Sequence, residues 1–142
     1  MEKVHKDFHG VLSCAIDFLE SEYGLQGLYE FLSSLSGTVY APLVDEMRKE
    51  GLPALRRHVE RIFELEGGEL EINEDRQKLV LNVHRCPAIS HLRRRGYPIA
   101  SSFCEHCRIL NEAISKDAGF ESDVVYEQSE GRCVQKFWRR EE

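Results

Sequence analysis

Cysteine supplies the most reactive side chains of this sequence, and its spacing is uneven. Of five cysteines, Cys86, Cys104, Cys107 and Cys133 lie from residue 86 onward. Residues 104–107 form a C-x-x-C pair, with 17 residues between Cys86 and the pair and 25 between the pair and Cys133. Four thiolates bind zinc or an iron–sulfur cluster. The spacing therefore predicts a four-cysteine metal site, with inert packing of these thiols as the alternative.

Cys104 has a second interpretation, as a nucleophile or redox thiol. It opens a predicted helix, and a helix N-terminus lowers the pKa of a thiol. A nucleophilic cysteine needs a base within hydrogen-bond reach, and His84 is the candidate, with His91 and His106 as alternatives. A thioredoxin-like role ranks last because no βαβ pattern surrounds the C-x-x-C pair.

Arginines accompany three of these cysteines. From Asn82 to Arg108 five arginines stand against one glutamate, a local charge of +4 within a chain of net charge -6. A basic stretch in an acidic protein favours a small anionic ligand and argues against nucleic acid. Arg85 and Arg94 are the predicted ligand-binding residues. A solvated helix end is the alternative for this stretch.

The N-terminal half carries helical periodicity. Apolar residues at spacings of three and four predict a helix over residues 6–21 that stops at Gly24. A second helix then ends near Gly37, a third has Pro42 in its first turn, and a fourth opens at Pro53. On the first helix the pattern predicts that Cys14 is a core residue. These helices either pack on the sheet or dimerise with a second copy.

The period changes to two after residue 67, which indicates strands. Residues 69–84 predict one β-hairpin, and residues 124–126 with 133–138 predict a second. A short helix follows Pro87, and a longer one runs from Cys104 to Lys116. The pattern predicts an α+β chain: a helical N-terminal half, then an antiparallel sheet of two hairpins with an intervening helix.

Composition bounds the class of protein. The 142 residues, 42% apolar and 31% charged, predict one globular domain, with residues 1–66 helical and 67–142 carrying the sheet and the cysteines. No apolar run reaches the roughly 20 residues that span a bilayer. The first ten residues lack the apolar stretch of a signal peptide, so we expect a cytoplasmic protein without a membrane partner.

Short motifs in the C-terminal half resemble a known family. His84-Arg85-Cys86-Pro87, Ser102-Phe103-Cys104 and Glu130-Gly131-Arg132-Cys133 with Phe137 beyond resemble the L-2-amino-thiazoline-4-carboxylic acid hydrolase-like family. A similar ending occurs in vinyl-reductase-like small-molecule-binding domains. The match covers roughly residues 80 to 138, and Cys107 has no counterpart in the family pattern.

The resemblance implies an α+β domain that opens a thiazoline ring bearing a carboxylate. By position, the residues that it assigns to the family's site are Cys86, Cys104 and Cys133. The sequence thus predicts a metal-binding small-molecule domain, with hydrolysis of a small cyclic amidine as its reaction. The alternative is a metal or ligand sensor without catalysis, built around a zinc or iron–sulfur site.

Overall fold

The computed structural model describes residues 5–141 and confirms the α+β class, with the helices first and the sheet after them. None of the described helices is both long and apolar enough to cross a membrane. In chain order the elements are α1 (Phe8–Ser34), α2 (Ala41–Glu50), α3 (Leu52–Glu66), β1 (Glu69–Glu74), β2 (Lys78–Arg85), α4 (Pro87–Arg95), α5 (Glu105–Ala118), β3 (Phe120–Glu127) and β4 (Arg132–Arg139), with 3-10 turns at Leu35–Gly37 and Gln128–Glu130.

α1 consists of two helical segments joined at Gly24. The backbone there has φ 74° and ψ -179°, a conformation that is essentially restricted to glycine. The helix end predicted at this residue and the helix predicted after it are both confirmed. Ile16 of the first segment and Leu28 and Leu32 of the second are fully buried. The kink therefore lets both segments follow the core.

The predicted starts and stops of the next two helices are also confirmed. Pro42 lies in the first turn of α2 and Pro53 in the first turn of α3, where the missing N–H leaves no bond unmade. Gly51 ends α2, and its N–H donates to the carbonyl of Met47 at 2.8 Å. With φ at 80°, Gly51 turns the chain directly into α3.

The two predicted hairpins form one antiparallel sheet in the order β1-β2-β4-β3. The pairing of β2 with β4 joins the hairpins, and it places Leu79 opposite Phe137 and Val83 opposite Cys133. Because side chains alternate along a strand, Leu79 and Val83 share one face with Cys133 and Phe137. This inner face is the one that the helices cover.

The buried apolar residues form two clusters. The first joins α2, α3 and the end of α5 to the sheet, and the second joins α1, α4 and the start of α5. The fully buried members of the first cluster include Leu79 and Leu81, and those of the second include Ile16, Leu28, Leu32 and Leu92.

The prediction that Cys14 is a core residue is wrong. Cys14 is exposed, and Val11 on the same side of α1 is 70% exposed. Ser13 takes the buried position instead, since its hydroxyl donates to the carbonyl of Pro98 and accepts from the N–H of Ala100, both at 2.8 Å. Two good hydrogen bonds let a serine replace an apolar side chain in the core.

Candidate functional site: a thiol-lined cavity

A cavity of about 410 Å³ lies between the helices and the inner face of the sheet. Both apolar clusters contribute to its wall: Leu43, Leu55 and Phe137 from the first, and Leu32 and Phe103 from the second. Its volume falls in the range of about 300 to 1,000 Å³ that is usual for small-molecule sites. The cavity thus has the size and the apolar lining of a ligand site.

All four C-terminal cysteines line this cavity. Cys86 and Cys104 immediately precede α4 and α5, Cys107 lies in the first turn of α5, and Cys133 lies near the start of β4. None of them forms a disulfide, and each is partly exposed. The chain therefore brings thiols from separate elements to one internal surface.

Backbone contacts hold Cys86 beside the β3–β4 connection. The N–H of Cys86 donates to the carbonyl of Gly131 at 2.7 Å, and β2 pairs Val83 with Cys133. Gly131 has φ 65°, and a Cβ added there would lie 3.1 Å from Cγ2 of Ile89. Position 131 requires glycine for two reasons: the backbone has a positive φ, and it lies too close to α4 for a larger residue.

Gln128 fixes the start of α5. The N–H of Cys104 donates to Oε1 of Gln128 at 2.9 Å, and Nε2 of Gln128 donates to the carbonyl of Ala100 at 2.9 Å. The side chain thus ties the loop that carries Cys104 to the connection that leads into β4. One N–H at the helix start, which would otherwise lack an intrahelical partner, is satisfied by this bond.

Cys133 is held through a chain of side-chain hydrogen bonds. Nε2 of Gln135 donates to Sγ of Cys133 at 3.4 Å, and Nδ2 of Asn111 donates to Oε1 of Gln135 at 2.8 Å. All three side chains line the cavity. α5 and β4 therefore orient this thiol together.

Burial raises the pKa of all four thiols. It raises the pKa of Cys86, Cys107 and Cys133 to about 11 and that of Cys104 to about 12. The charges of the other three thiolates raise the pKa of Cys104 further, so the sulfur atoms lie within electrostatic range of one another. The helix N-terminus does not give Cys104 the lowered pKa that the sequence predicted, because desolvation is the larger effect.

His106 adds a nitrogen to this group. Its Nδ1–H donates to the carbonyl of Phe103, which leaves Nε2 as an acceptor 3.7 Å from Sγ of Cys107. Burial lowers the pKa of His106, so the ring is neutral at physiological pH. An unprotonated imidazole nitrogen beside thiols is a soft donor of the kind that zinc accepts.

The donor types suit a metal, but their present arrangement does not hold one. Among residues 5–141, no three His, Cys, Asp or Glu side chains are grouped closely enough to bind a metal ion. Thiols and imidazole are the ligands of zinc and of iron–sulfur clusters. To bind either, the sulfur atoms must turn toward a common point.

Polar side chains that the sequence analysis did not single out also line the cavity. Nε2 of His9 lies 2.7 Å from Oε1 of Glu66, which joins α1 to α3. Tyr40 and His58 stack edge to face with ring centroids 6.3 Å apart. Burial raises the pKa of Tyr40 and lowers that of His58. The feature of the sequence that could have indicated this polar part of the wall is His58, a histidine within the apolar face of α3.

Several predicted site residues lie away from the cavity. His84 is exposed, and its Nε2 lies 3.8 Å from Oε1 of Glu71. Arg85 faces Glu69 with Nε and Oε1 3.6 Å apart, and Arg94 is exposed at the end of α4. The structure therefore does not bring His84, Arg85 and Arg94 to the thiols.

One guanidinium outside the predicted ligand-binding pair, that of Arg132, does reach the cavity. Within the described chain, Arg132 is the only arginine or lysine in the cavity wall. Its Nε and Nη2 lie 3.2 Å from the two carboxylate oxygens of Glu127, so it is already paired. Arg132 is exposed, which places it at an opening of the cavity.

Comparison with protein-family models and with curated proteins finds no match to this sequence. The resemblance to the thiazoline-carboxylate hydrolase-like family therefore stays a prediction.

Proposed function

We propose that this protein is a small-molecule-binding domain whose thiols bind a zinc ion or an iron–sulfur cluster. The observation that carries the proposal is the convergence of Cys86, Cys104, Cys107 and Cys133 on one cavity. Free cysteine also packs as a small apolar residue, but four of the five cysteines of the chain lie in this one wall and the fifth is exposed. A shared thiol wall is better explained by a ligand common to all four.

The lining of the cavity supports a largely apolar ligand with one hydrogen-bonding group. Most of its wall is aliphatic and aromatic. The hydroxyl of Tyr40 and the imidazole of His58 hydrogen-bond no other described residue, so both are available to a ligand. The arginines expected to hold an anion lie outside, and Arg132 is occupied by Glu127. An uncharged polar group suits these partners better than a carboxylate does.

The metal proposal rests on donor chemistry and on space. The four thiols are the proposed ligands, with Nε2 of His106 as a replacement for one of them. The cavity beside them leaves room for the sulfur atoms to turn inward. A zinc site with four cysteine ligands is closed to substrate and stabilises the fold. Such a site would tie the starts of α4, α5 and β4 together.

The geometry favours binding over hydrolysis. A thiol nucleophile must be ionised and must have a base nearby. Burial and neighbouring thiols raise the pKa of Cys104 to about 12, and His84 is not part of the cavity wall. His106 is in the wall, but its Nε2 faces Sγ of Cys107 at 3.7 Å, and burial raises the pKa of that thiol to about 11. We therefore propose the sensor or carrier role ahead of the thiazoline hydrolase.

The metal is tested by anaerobic purification followed by elemental analysis and a visible spectrum. We expect one zinc per chain, or the brown colour of an iron–sulfur cluster. Cys104→Ser and Cys133→Ser should lose the metal, whereas Cys14→Ser, the matched control outside the cavity, should keep it. Metal-free protein with intact thiols, or metal retained by both variants, would contradict the metal proposal.

The ligand site is tested with the uncharged fluorescent probe N-phenyl-1-naphthylamine. Val59→Trp places an indole in the cavity wall, while Val125→Trp adds the same group on an exposed position of β3. We expect the first to weaken probe binding at least about tenfold, since the filled cavity can no longer enclose the probe. Equal binding by the two variants would show that the probe does not use the cavity.

A further inference from the structure

One side of the cavity holds a carboxylate that is almost out of reach of water. Among the described residues that line the cavity, Glu66, the last residue of α3, is the only aspartate or glutamate. Nε2–H of His9 donates to its Oε1 at 2.7 Å, and the side chains of His9 and Glu66 are only 10% and 11% exposed. A charged acceptor therefore lies in a wall that is otherwise mostly apolar.

The carboxylate of Glu66 has hydrogen-bonding capacity left over. An ionised carboxylate only accepts hydrogen bonds, and its two oxygens offer about four lone-pair positions. Within residues 5–141, His9 is the only group that donates to it. Arg132, the only arginine or lysine in the described part of the wall, is paired with Glu127. A molecule that enters the cavity must therefore bring the donor itself.

The phenol of Tyr40 lies within electrostatic range of this carboxylate. Burial raises the pKa of Tyr40, and the charges of Cys107 and Glu66 raise it further. The phenol thus stays protonated, and no described residue accepts its proton. A hydroxyl group can accept from Tyr40 and donate to Glu66 at the same time. An ether or a ketone can only accept, and a carboxylate is repelled by Glu66.

A purely structural role does not account for the charge at Glu66. The pair with His9 joins α1 to α3. A buried ion pair of this kind contributes little more to stability than two apolar side chains of similar volume, because desolvation offsets the attraction. The unfilled lone pairs of Glu66 are better explained by a group that the ligand supplies.

We propose that Glu66 determines the specificity of the cavity and that the ligand is an uncharged, apolar alcohol or phenol. This inference rests on the proposed small-molecule site and names the chemical class that the site binds. The ring or chain of the ligand lies against the apolar wall, and its hydroxyl donates to the carboxylate of Glu66. A buried donor–acceptor pair of this type discriminates strongly against a molecule that lacks the donor.

The test compares three compounds that share one ring system: 1-naphthol, its methyl ether 1-methoxynaphthalene, and 1-naphthoate. Each compound displaces N-phenyl-1-naphthylamine from the native chain, and the loss of probe fluorescence gives its dissociation constant. We expect 1-naphthol to bind at least about tenfold more tightly than the ether, since a hydrogen bond to a charged group is among the stronger ones. 1-Naphthoate should bind most weakly. Equal constants for 1-naphthol and the ether overturn the inference.

A variant assigns this preference to one side chain. Glu66→Gln removes the charge and keeps the shape, and Glu64→Gln makes the same change at an exposed position of α3 outside the cavity wall. The preference for 1-naphthol over the ether should fall at least about threefold in Glu66→Gln, and the penalty on 1-naphthoate should shrink. Both should keep their native values in Glu64→Gln. Each preference is a ratio within one protein, so a general loss of affinity or stability cancels. An unchanged ratio in Glu66→Gln overturns the inference.

The outcomes separate this inference from the proposed function. If none of the three compounds displaces the probe, the cavity does not bind small molecules, and both proposals fail. If 1-naphthol and the ether displace it equally well, the small-molecule site stands and the role of Glu66 fails.

Discussion

The cavity and the exposed side of α1 both present apolar side chains that no other described residue covers fully, yet they differ in enclosure. Val11, Phe18, Tyr23 and Leu25 form this exposed side, the outer α1 face. The cavity is walled by helices on one side and by the sheet on the other, and thiols, a phenol and imidazoles project into it. The outer α1 face is open to solvent, and the thiol nearest to it, Cys14, is exposed.

Enclosure decides what each region can recognise. Inside the cavity, desolvation raises the pKa of all four thiols. It also favours a small molecule whose shape fits the cavity and whose polar groups hydrogen-bond those of the wall. On the outer face water is displaced only when a second surface arrives, so area and pattern matter more than single polar groups. One region is therefore suited to a small ligand, whereas the other has no enclosing wall.

The largest expected effect separates the two regions by stability. Phe103 is 1% exposed in the cavity wall, whereas Phe18 is 58% exposed on α1. Phe103→Ala should lower the free energy of unfolding by about 3 to 5 kcal/mol. Phe18→Ala should change it by about 0.5 kcal/mol or less. Urea unfolding followed by circular dichroism measures both. Similar losses for the two variants would break the comparison.

The next effect concerns thiol reactivity. A pKa raised to about 11 or 12 leaves few thiolates at pH 8. In metal-free protein we expect the cavity thiols to react with iodoacetamide about two to three orders of magnitude more slowly than an ordinary thiol with a pKa near 8.5. Mass spectrometry should therefore find Cys14 modified first.

The sign of the pH dependence follows from the same shifts. As pH rises from 8 toward 11, the thiolate fraction in the cavity increases, so the cavity thiols should react faster by about tenfold per pH unit. The Cys14→Ser variant isolates this slow phase. A single rate for all five cysteines at pH 8 would contradict the raised pKa values.

The smallest of the three effects tests how the cavity orients its thiols. Gln135→Leu removes the donor to Cys133 and keeps the size of the side chain. If Cys133 is a ligand, metal affinity should fall about ten- to a hundredfold, as is usual for groups that orient a ligand. Gln26→Leu, on an exposed turn of α1, is the control. Competition with a chromophoric chelator measures both, and equal affinities would remove Gln135 from the site.

The elements of this fold were predictable because local chemistry specifies them. Gly24 and Gly51 adopt backbone conformations that other residues avoid, and prolines start α2 and α3. The alternation of apolar and polar residues predicted the strands of both hairpins. The order of the sheet was not predictable, since the pairing of β2 with β4 depends on contacts far apart in sequence.

The site was predictable only in part. The four thiols were identified by spacing, but their pKa values depend on burial, which the pattern does not reveal. Cys14 was misplaced because α1 is apolar on both sides, and hydrogen bonds to Pro98 and Ala100 let Ser13 occupy the core. Tyr40 and His58 escaped notice because a cavity is a property of packing and not of any residue.

The pairing of β2 with β4 has a consequence during synthesis. About 60 residues separate Leu79 from its partner Phe137, which a ribosome adds in roughly 3 to 12 s. For that interval β2 has one unpaired edge, and its inner face lacks the strand that carries Cys133. The nascent chain therefore passes through a stage in which an apolar strand edge and the Cys86 thiol are open to other molecules. Pairing with β4 ends this stage, because it covers both the edge of β2 and the Cys86 thiol.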